Sequence, residues 1–109
     1  MKLLIYGSHG WIGQQFIDIL SNCQSSQDDS DSIIFHLGTA RVDNRDTLFQ
    51  EIETIQPTHI VSFIGRTHGT YQEKDYTTID YLEQPGKLVE NIRDNLFGPL
   101  LLANYCKTH

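Results

Sequence analysis

The segment that most constrains this chain is its first thirteen residues. Lys2-Leu3-Leu4-Ile5-Tyr6 is a short apolar run that ends in Gly7-Ser8-His9-Gly10-Trp11-Ile12-Gly13, and an amphipathic stretch begins at once. A strand that breaks on regularly spaced glycines and continues as a helix is the opening of a dinucleotide-binding βαβ unit. Each glycine meets a separate steric demand. Gly7 allows the tight turn, Gly10 lets the backbone approach a pyrophosphate, and Gly13 lets the helix sit close to the sheet. The helix then directs its N–H groups and positive dipole end at the phosphates. Gly7, Ser8, His9, Gly10, Trp11, Ile12 and Gly13 are therefore the expected diphosphate site.

The remaining pattern predicts an α/β fold. Trp11 to Cys23 reads as a helix with Ile12, Phe16, Ile19, Leu20 and Cys23 on its apolar face. Residues 24–31 are polar and acidic and read as a solvated loop. Ser32 to Leu37 reads as the second strand, closed by Gly38, and Arg41-Val42 as a very short third. Asp43 or Asn44 can cap a helix carrying Leu48, Phe49, Ile52 and Ile55, which Pro57 ends. His59 to Ile64 is apolar on both faces, the pattern of a covered parallel strand. Gly65 to Gln84 has no clear periodicity and reads as a binding loop or as disorder. From Pro85 a long helix with Leu88, Ile92, Leu96 and Leu100 reaches Lys107, and Pro99 removes the bond to the Asn95 carbonyl, which favours a kink. The expectation is one domain over residues 1–109. It is a Rossmann-type parallel sheet with helices on both faces and right-handed crossovers, truncated after about four strands. Its fourth strand would be an open edge at which a second copy could associate.

Charge and residue usage narrow the function. Asp and Glu number 14 against 8 Lys and Arg, a net charge of −6, and no basic run argues for nucleic acid. No apolar run has the length of a membrane span or a signal-peptide core. Cys23 and Cys106 lack metal or disulfide spacing and read as buried thiols of a cytoplasmic protein. His9, His36, His59, His68 and His109 show no metal-ligand spacing, so no metal is expected. Gly86-Lys87 is not a P-loop, and there is no Gly-x-Ser-x-Gly turn. At the ribose end of a dinucleotide, Asp28, Asp29 and Asp31 stand at the right count but before the second strand. After that strand, Gly38-Thr39-Ala40-Arg41 carries no acid. Thr39 and Arg41 suit a 2′-phosphate, which a guanidinium grips as a fork, so NADPH is the expected cofactor, with NADH the second candidate.

Gly7-x-x-Gly10-x-x-Gly13, the Val42-Asp43 step, Gly65-Arg66-Thr67 after a strand, and Asn95-x-x-Gly98 together resemble the extended short-chain dehydrogenase/reductase family. Within it the chain is similar to the dTDP-4-dehydrorhamnose reductase branch, and most to the nucleotide-sugar 3,5-epimerase/4-reductases. The resemblance implies cofactor contacts at Gly10, Trp11 and Ile12, an adenine-side contact at Asp43 or Asn44, and Gly65, Arg66 and Thr67 beside the ribose and nicotinamide. It implies a UDP- or dTDP-linked 4-keto-6-deoxyhexose as substrate, with His68, Arg66 and Asn95 as candidate contacts; solvated loop residues are the alternative reading of His68 and Arg66. Where typical members have two alanines, this chain has Phe63 and Ile64. The family also needs a Ser or Thr and a Tyr-x-x-x-Lys pair, whose lysine lowers the tyrosine pKa for proton transfer. No tyrosine here has a lysine four residues on. Tyr71 and Lys74 are three apart and lie before the Asn95 helix, so the catalytic pair is expected beyond His109. The expected function is the NADPH-binding part of a 4-keto sugar-nucleotide reductase. The alternative is a non-catalytic NADP(H)-binding regulatory or interaction subunit.

Overall fold

The structure, a computed structural model, describes residues 1–23 and 32–109, so the loop expected at 24–31 lies outside the described residues. The chain forms two compact units, Met1–Phe63 and Ile64–His109.

The first unit is built on a parallel sheet of β1 (Lys2–Tyr6), β2 (Ile34–Leu37) and β3 (His59–Ser62), in the order β2-β1-β3. Leu3 stands opposite Phe35 on one side and His59 on the other. Helix α1 (Trp11–Cys23) follows β1, and α2 (Arg45–Ile55) follows β2. Alternation along β1 divides the core in two. Leu3 and Ile5 pack with Leu20, Phe16 and Ile17 of α1, and Phe35, Val61 and Phe63 join them. On the other face Leu4 and Tyr6 are buried, as are Leu48 and Ile52 of α2, and Lys2 Nζ donates to the Ile55 carbonyl at the end of that helix. The helices therefore cover opposite faces. Fully burying one aliphatic side chain contributes about 1.5–3 kcal/mol, so Leu4, Ile5 and Leu48, all under 2% exposed, anchor the unit.

Several sequence expectations change here. Arg41-Val42 is not a strand. Val42 turns inward to 6% exposure, Asn44 N donates to Arg41 O at 3.0 Å, and the segment leads straight into α2. Among the described residues the sheet thus has three strands, and the expected fourth is β3. The apolar face of α1 is Gly13, Phe16, Ile17 and Leu20, whereas Ile12 and Ile19 are each 60% exposed. Close packing of Gly13 on the preceding turn sets the rotation of this helix. Both Cys23 and Cys106 are exposed rather than buried. Of the two proposed caps for α2, Asn44 is the one used, with Oδ1 accepting from Thr47 N at 3.3 Å. The bulky Phe63 is also explained. Its ring packs against Phe16, with centroids 5.2 Å apart, in the core under α1.

In the second unit the expected structureless loop contains an antiparallel hairpin, β4 (Gly69–Tyr71) with β5 (Lys74–Tyr76), and a 3₁₀ turn, Ile79–Glu83. Gln72 and Glu73 make the hairpin turn with φ of 49° and 61°, the left-handed pair that a two-residue hairpin requires. Tyr81, 3% exposed, is the centre of this part. A Cβ at Gly69 would come within 2.6 Å of its ring. The long helix is α3 (Leu88–Ile92), a π-helical segment (Arg93–Phe97) and α4 (Gly98–Thr108). Gly98 N reaches back to Arg93 O, widening the turn just before Pro99. The extra residue shifts the helical phase. Gly98, Leu102 and Tyr105 are buried, while Leu88, Ile92, Leu96 and Leu100 are exposed. Among the described residues, no helix is long and apolar enough to cross a membrane.

Candidate functional site

The glycine turn links β1 to α1 through short-range bonds. Gly7 has φ 76°, a conformation side chains avoid. Gly10 N donates to Gly7 O at 3.2 Å, and Gln14 N to Gly10 O at 2.9 Å, which starts the helix. Gln14 Nε2 donates to Ser8 O at 2.9 Å, and Ser8 is 2% exposed. The two later glycines differ. A Cβ at Gly13 would fall 2.3 Å from Gly7 O, so this glycine is demanded by the protein itself. A Cβ at Gly10 would meet only Gly7 O, at an ordinary 3.5 Å. Nothing in the protein forbids a Cβ at Gly10, which immediately precedes the first turn of α1. There the initial N–H groups of a helix lack intrahelical acceptors. Those amides, with an open approach, fit a diphosphate. His9 and Ile12 are exposed beside the turn, and Trp11 is 80% exposed.

The loop after β2 is built differently. Glu51, from α2, reaches it through space. Its carboxylate accepts from Thr39 N at 2.8 Å, Thr39 Oγ1 at 2.7 Å, Ala40 N at 3.1 Å and Tyr6 Oη at 2.8 Å. Burial alone would raise the Glu51 carboxyl, but the Thr39, Tyr6 and Ala40 donors outweigh it and hold the group below the usual carboxylate range. Burial, reinforced by Glu51, pushes the Tyr6 hydroxyl well above the ordinary tyrosine value. The expectation of a loop without an acid is therefore corrected: an acid is present, brought from twelve positions away. It had a signal in the sequence, since Glu51 lies on the sheet-facing side of α2 between Leu48 and Ile52. Arg41 is 67% exposed and grips Asp43 with Nε at 2.9 Å and Nη2 at 3.1 Å. Asn44 is occupied as the α2 cap. A hollow of about 390 Å³ lies against α2, lined by Thr39, Ala40, Thr47, Gln50, Glu51 and Thr54 among others.

In the second unit, the π-helical segment brings Asn95 onto the backbone of Arg66. Asn95 Oδ1 accepts from Arg66 N at 2.6 Å, and Nδ2 donates to Arg66 O and to Asn91 Oδ1, both at 2.9 Å. A Cβ at Gly65 would come within 3.3 Å of Asn95 Oδ1. Arg66 Nε also donates to Asp94 at 2.7 Å, and Arg93 Nε to Asp94 at 2.8 Å. Arg93 first, then Arg66, holds the Asp94 carboxyl down at about 2, against the opposing effect of burial. Asn95, expected to touch substrate, thus has its side chain committed to the Arg66 backbone, and Arg66 has its guanidinium on Asp94. Thr67 and His68 are exposed, with Thr67 Oγ1 3.3 Å from His68 Nδ1.

One cluster had no sequence reading. Tyr81 Oη and Lys87 Nζ both donate to Glu90, at 2.8 and 2.9 Å, and Lys87 lies over the Tyr81 ring at 5.2 Å. Tyr71 and Lys74 are cross-strand partners in the hairpin, with the ammonium over Tyr76 at 4.9 Å. Among the described residues, no group of His, Cys, Asp or Glu could hold a metal ion.

No protein-family model matches the chain. It is 44% identical over 109 residues to protein L780 of Acanthamoeba polyphaga mimivirus, covering 100% of this chain and 34% of that protein. The crystal structure of that protein, described as the L780 UDP-rhamnose synthase, superposes with a TM-score of 0.84 over 99% of this chain and 33% of the other. A trifunctional UDP-glucose 4,6-dehydratase/UDP-4-keto-6-deoxy-D-glucose 3,5-epimerase/UDP-4-keto-L-rhamnose-reductase of Arabidopsis thaliana is 32% identical over 109 residues, 14% of its length. A bifunctional dTDP-4-dehydrorhamnose 3,5-epimerase/dTDP-4-dehydrorhamnose reductase of the same plant is 31% identical over 106 residues, 30% of its length. Protein lin1944 of Listeria innocua, 20% identical, shares the fold with a TM-score of 0.63 over 94% of this chain. The chain spans 34% of the mimivirus relative and 14% and 30% of the two plant relatives. Those with named activities are nucleotide-sugar enzymes of rhamnose synthesis, and the chain is similar to them over nearly all of its own length.

Proposed function

We propose that this chain is the NAD(P)H-binding, Rossmann-type part of a nucleotide-sugar 3,5-epimerase/4-reductase of the short-chain dehydrogenase/reductase family. The whole protein would reduce a UDP- or dTDP-linked 4-keto-6-deoxyhexose. The observation that carries this reading is the superposition of 99% of the chain on a UDP-rhamnose synthase, at 44% identity. The glycine turn supports the binding half independently. Gly10 leaves room over the amides of α1, so a cofactor diphosphate would lie there, beside Trp11 and Ile12. Arg41 would face the 2′-phosphate of NADPH, the cofactor preferred over NADH, with Thr39 shaping the loop through its bonds to Glu51 and with Asp43 and Asn44 on the adenine side. Gly65, Arg66 and Thr67 would stand by the nicotinamide ribose, and His68 by the sugar nucleotide. Asn95 would act by fixing the Arg66 backbone. When bound, the reduced nicotinamide supplies a hydride to a ketone. The oxyanion left by reduction needs a proton donor, and general acid catalysis typically contributes about 10²–10⁴-fold.

The test follows the disappearance of NADPH with UDP- or dTDP-4-keto-6-deoxyglucose. It is run on this chain alone and on the chain joined to the remaining part of the mimivirus relative. Turnover by the joined protein is expected, with cofactor binding but no turnover by the chain alone. NADPH bound without turnover in the joined protein would favour a regulatory subunit.

A further inference from the structure

We propose that Glu51 is the positioning residue for the adenosine end of the cofactor site. By taking the Thr39 and Ala40 amides and the Thr39 and Tyr6 hydroxyls, it fixes the loop after β2 so that Arg41 is the group left to meet a 2′-phosphate. The proposal rests on the dinucleotide reading above and assigns what sets its selectivity.

A phosphate at such a loop is ordinarily gripped by backbone amides and a hydroxyl together with a guanidinium. Here the Thr39 amide, the Thr39 hydroxyl and the Ala40 amide are all within 3.1 Å of the Glu51 carboxylate. The fourth donor, Tyr6 Oη, belongs to a side chain 1% exposed at the end of β1. Gly38 closes the arrangement from the strand side. Gly38 N donates to Ile5 O at 2.8 Å, and a Cβ there would fall 2.3 Å from the Tyr6 ring. The loop is therefore pressed onto the ring and tied to Glu51 at once. On α2, Glu51 stands between Leu48 at 0% and Ile52 at 3% exposure.

Arg41 is the cation in this loop. Its partner Asp43 is two residues away, and the exposed guanidinium holds it through Nε and Nη2. The pair is open to solvent on the guanidinium side, at 67% exposure against 20% for Asp43, so screening weakens it there. A phosphate presents the same fork-accepting geometry with more charge, so it can take the guanidinium from Asp43. A dinucleotide with a free 2′-hydroxyl gains nothing from that exchange. Discrimination therefore depends on where the loop presents Arg41, and Glu51 decides that.

The experiment compares wild type, Glu51→Gln, Tyr6→Phe, Arg41→Ala and the Glu51→Gln/Arg41→Ala double variant. Calorimetry gives affinities for NADPH and NADH, and amide hydrogen exchange at Thr39 and Ala40 is read without cofactor. Glu51→Gln keeps the shape but turns an NH₂ toward donors. We expect it to weaken NADPH about tenfold, the scale of one charge-assisted bond, and NADH less than about twofold. Exchange at both amides should speed up, and Tyr6→Phe should move both readouts the same way by less. The double variant should lose no more NADPH affinity than Arg41→Ala. Equal losses for the two cofactors would make Glu51 merely structural, and tighter NADPH binding would make it a repelling charge; either overturns the proposal. Should Glu51→Gln not fold, Tyr6→Phe decides on the same readouts. A folded wild-type protein that binds neither dinucleotide overturns the underlying reading, and this proposal with it.

Discussion

At the end of β1 the chain turns on bonds between near neighbours, Gly10 to Gly7 and Gln14 to Gly10. At the end of the adjacent β2 it turns on bonds to residues 11, 12 and 45 positions apart, through Glu51 to Ala40, Thr39 and Tyr6. The first region carries its geometry in three glycines. The second acquires its geometry only once α2 has packed on the sheet. Two consequences follow. Substitutions in the glycine turn should separate binding from folding, because Gly10 and Gly13 face different neighbours. Substitutions around the β2 loop should couple the two, because one carboxylate serves both.

The largest expected effect is at Gly10. Gly10→Val should lower dinucleotide affinity about 100-fold, near 2.7 kcal/mol, and leave the fold intact, since a Cβ there meets Gly7 O at an ordinary 3.5 Å. Calorimetry with circular dichroism reads both parts. Retained affinity would make the turn purely structural. Gly13→Ala should behave in the opposite way. Its methyl would press on Gly7 O, so stability should fall by about 1–3 kcal/mol, the usual cost of overpacking, as read by urea denaturation.

Acid should probe the second region and its counterpart in the other unit. Both Glu51 and Asp94 are held below their unfolded values. The stability each contributes is therefore fully present above the unfolded carboxylate pKa, about 4 for both types, and is lost as pH falls through the folded value. For Asp94 the window runs from about 4 down to about 2. Asp94→Asn should flatten the pH dependence of stability inside that window, and Glu51→Gln the part just below the ordinary glutamate value. An unchanged slope in both would remove the electrostatic account.

The same contrast explains what could be read from the sequence. The glycine turn, the parallel strands and α2 were legible because local spacing determines them. The acid at the β2 loop had only an indirect signal, its place between Leu48 and Ile52 on α2, and its bonds to Thr39 and Ala40 exist only once α2 docks. The hairpin at Gly69–Tyr76 was hidden for a different reason. Its turn is Gln72-Glu73, both at positive φ, where the recognisable signal is Asn-Gly. The stripe at Leu88, Ile92, Leu96 and Leu100 misled: Leu88 and Ile92 are exposed ahead of the π-helical segment at Arg93–Phe97, and beyond it the buried positions are Gly98, Leu102 and Tyr105. The hairpin supplies the smallest prediction. Gln72→Asn with Glu73→Gly should raise stability by about 0.5–1 kcal/mol by relieving left-handed side chains, seen as a higher denaturation midpoint.

The measurement that bears most directly on the central claim is a titration of the chain with NADPH, and separately with NADH, followed by tryptophan fluorescence. Trp11 is the sole tryptophan in the sequence and stands at the glycine turn, 80% exposed. The account predicts a saturable change with one equivalent of either dinucleotide, tighter for NADPH, reversed by competing ADP and absent in Gly10→Val. A linear, non-saturating response, or the same saturation in Gly10→Val, would contradict it.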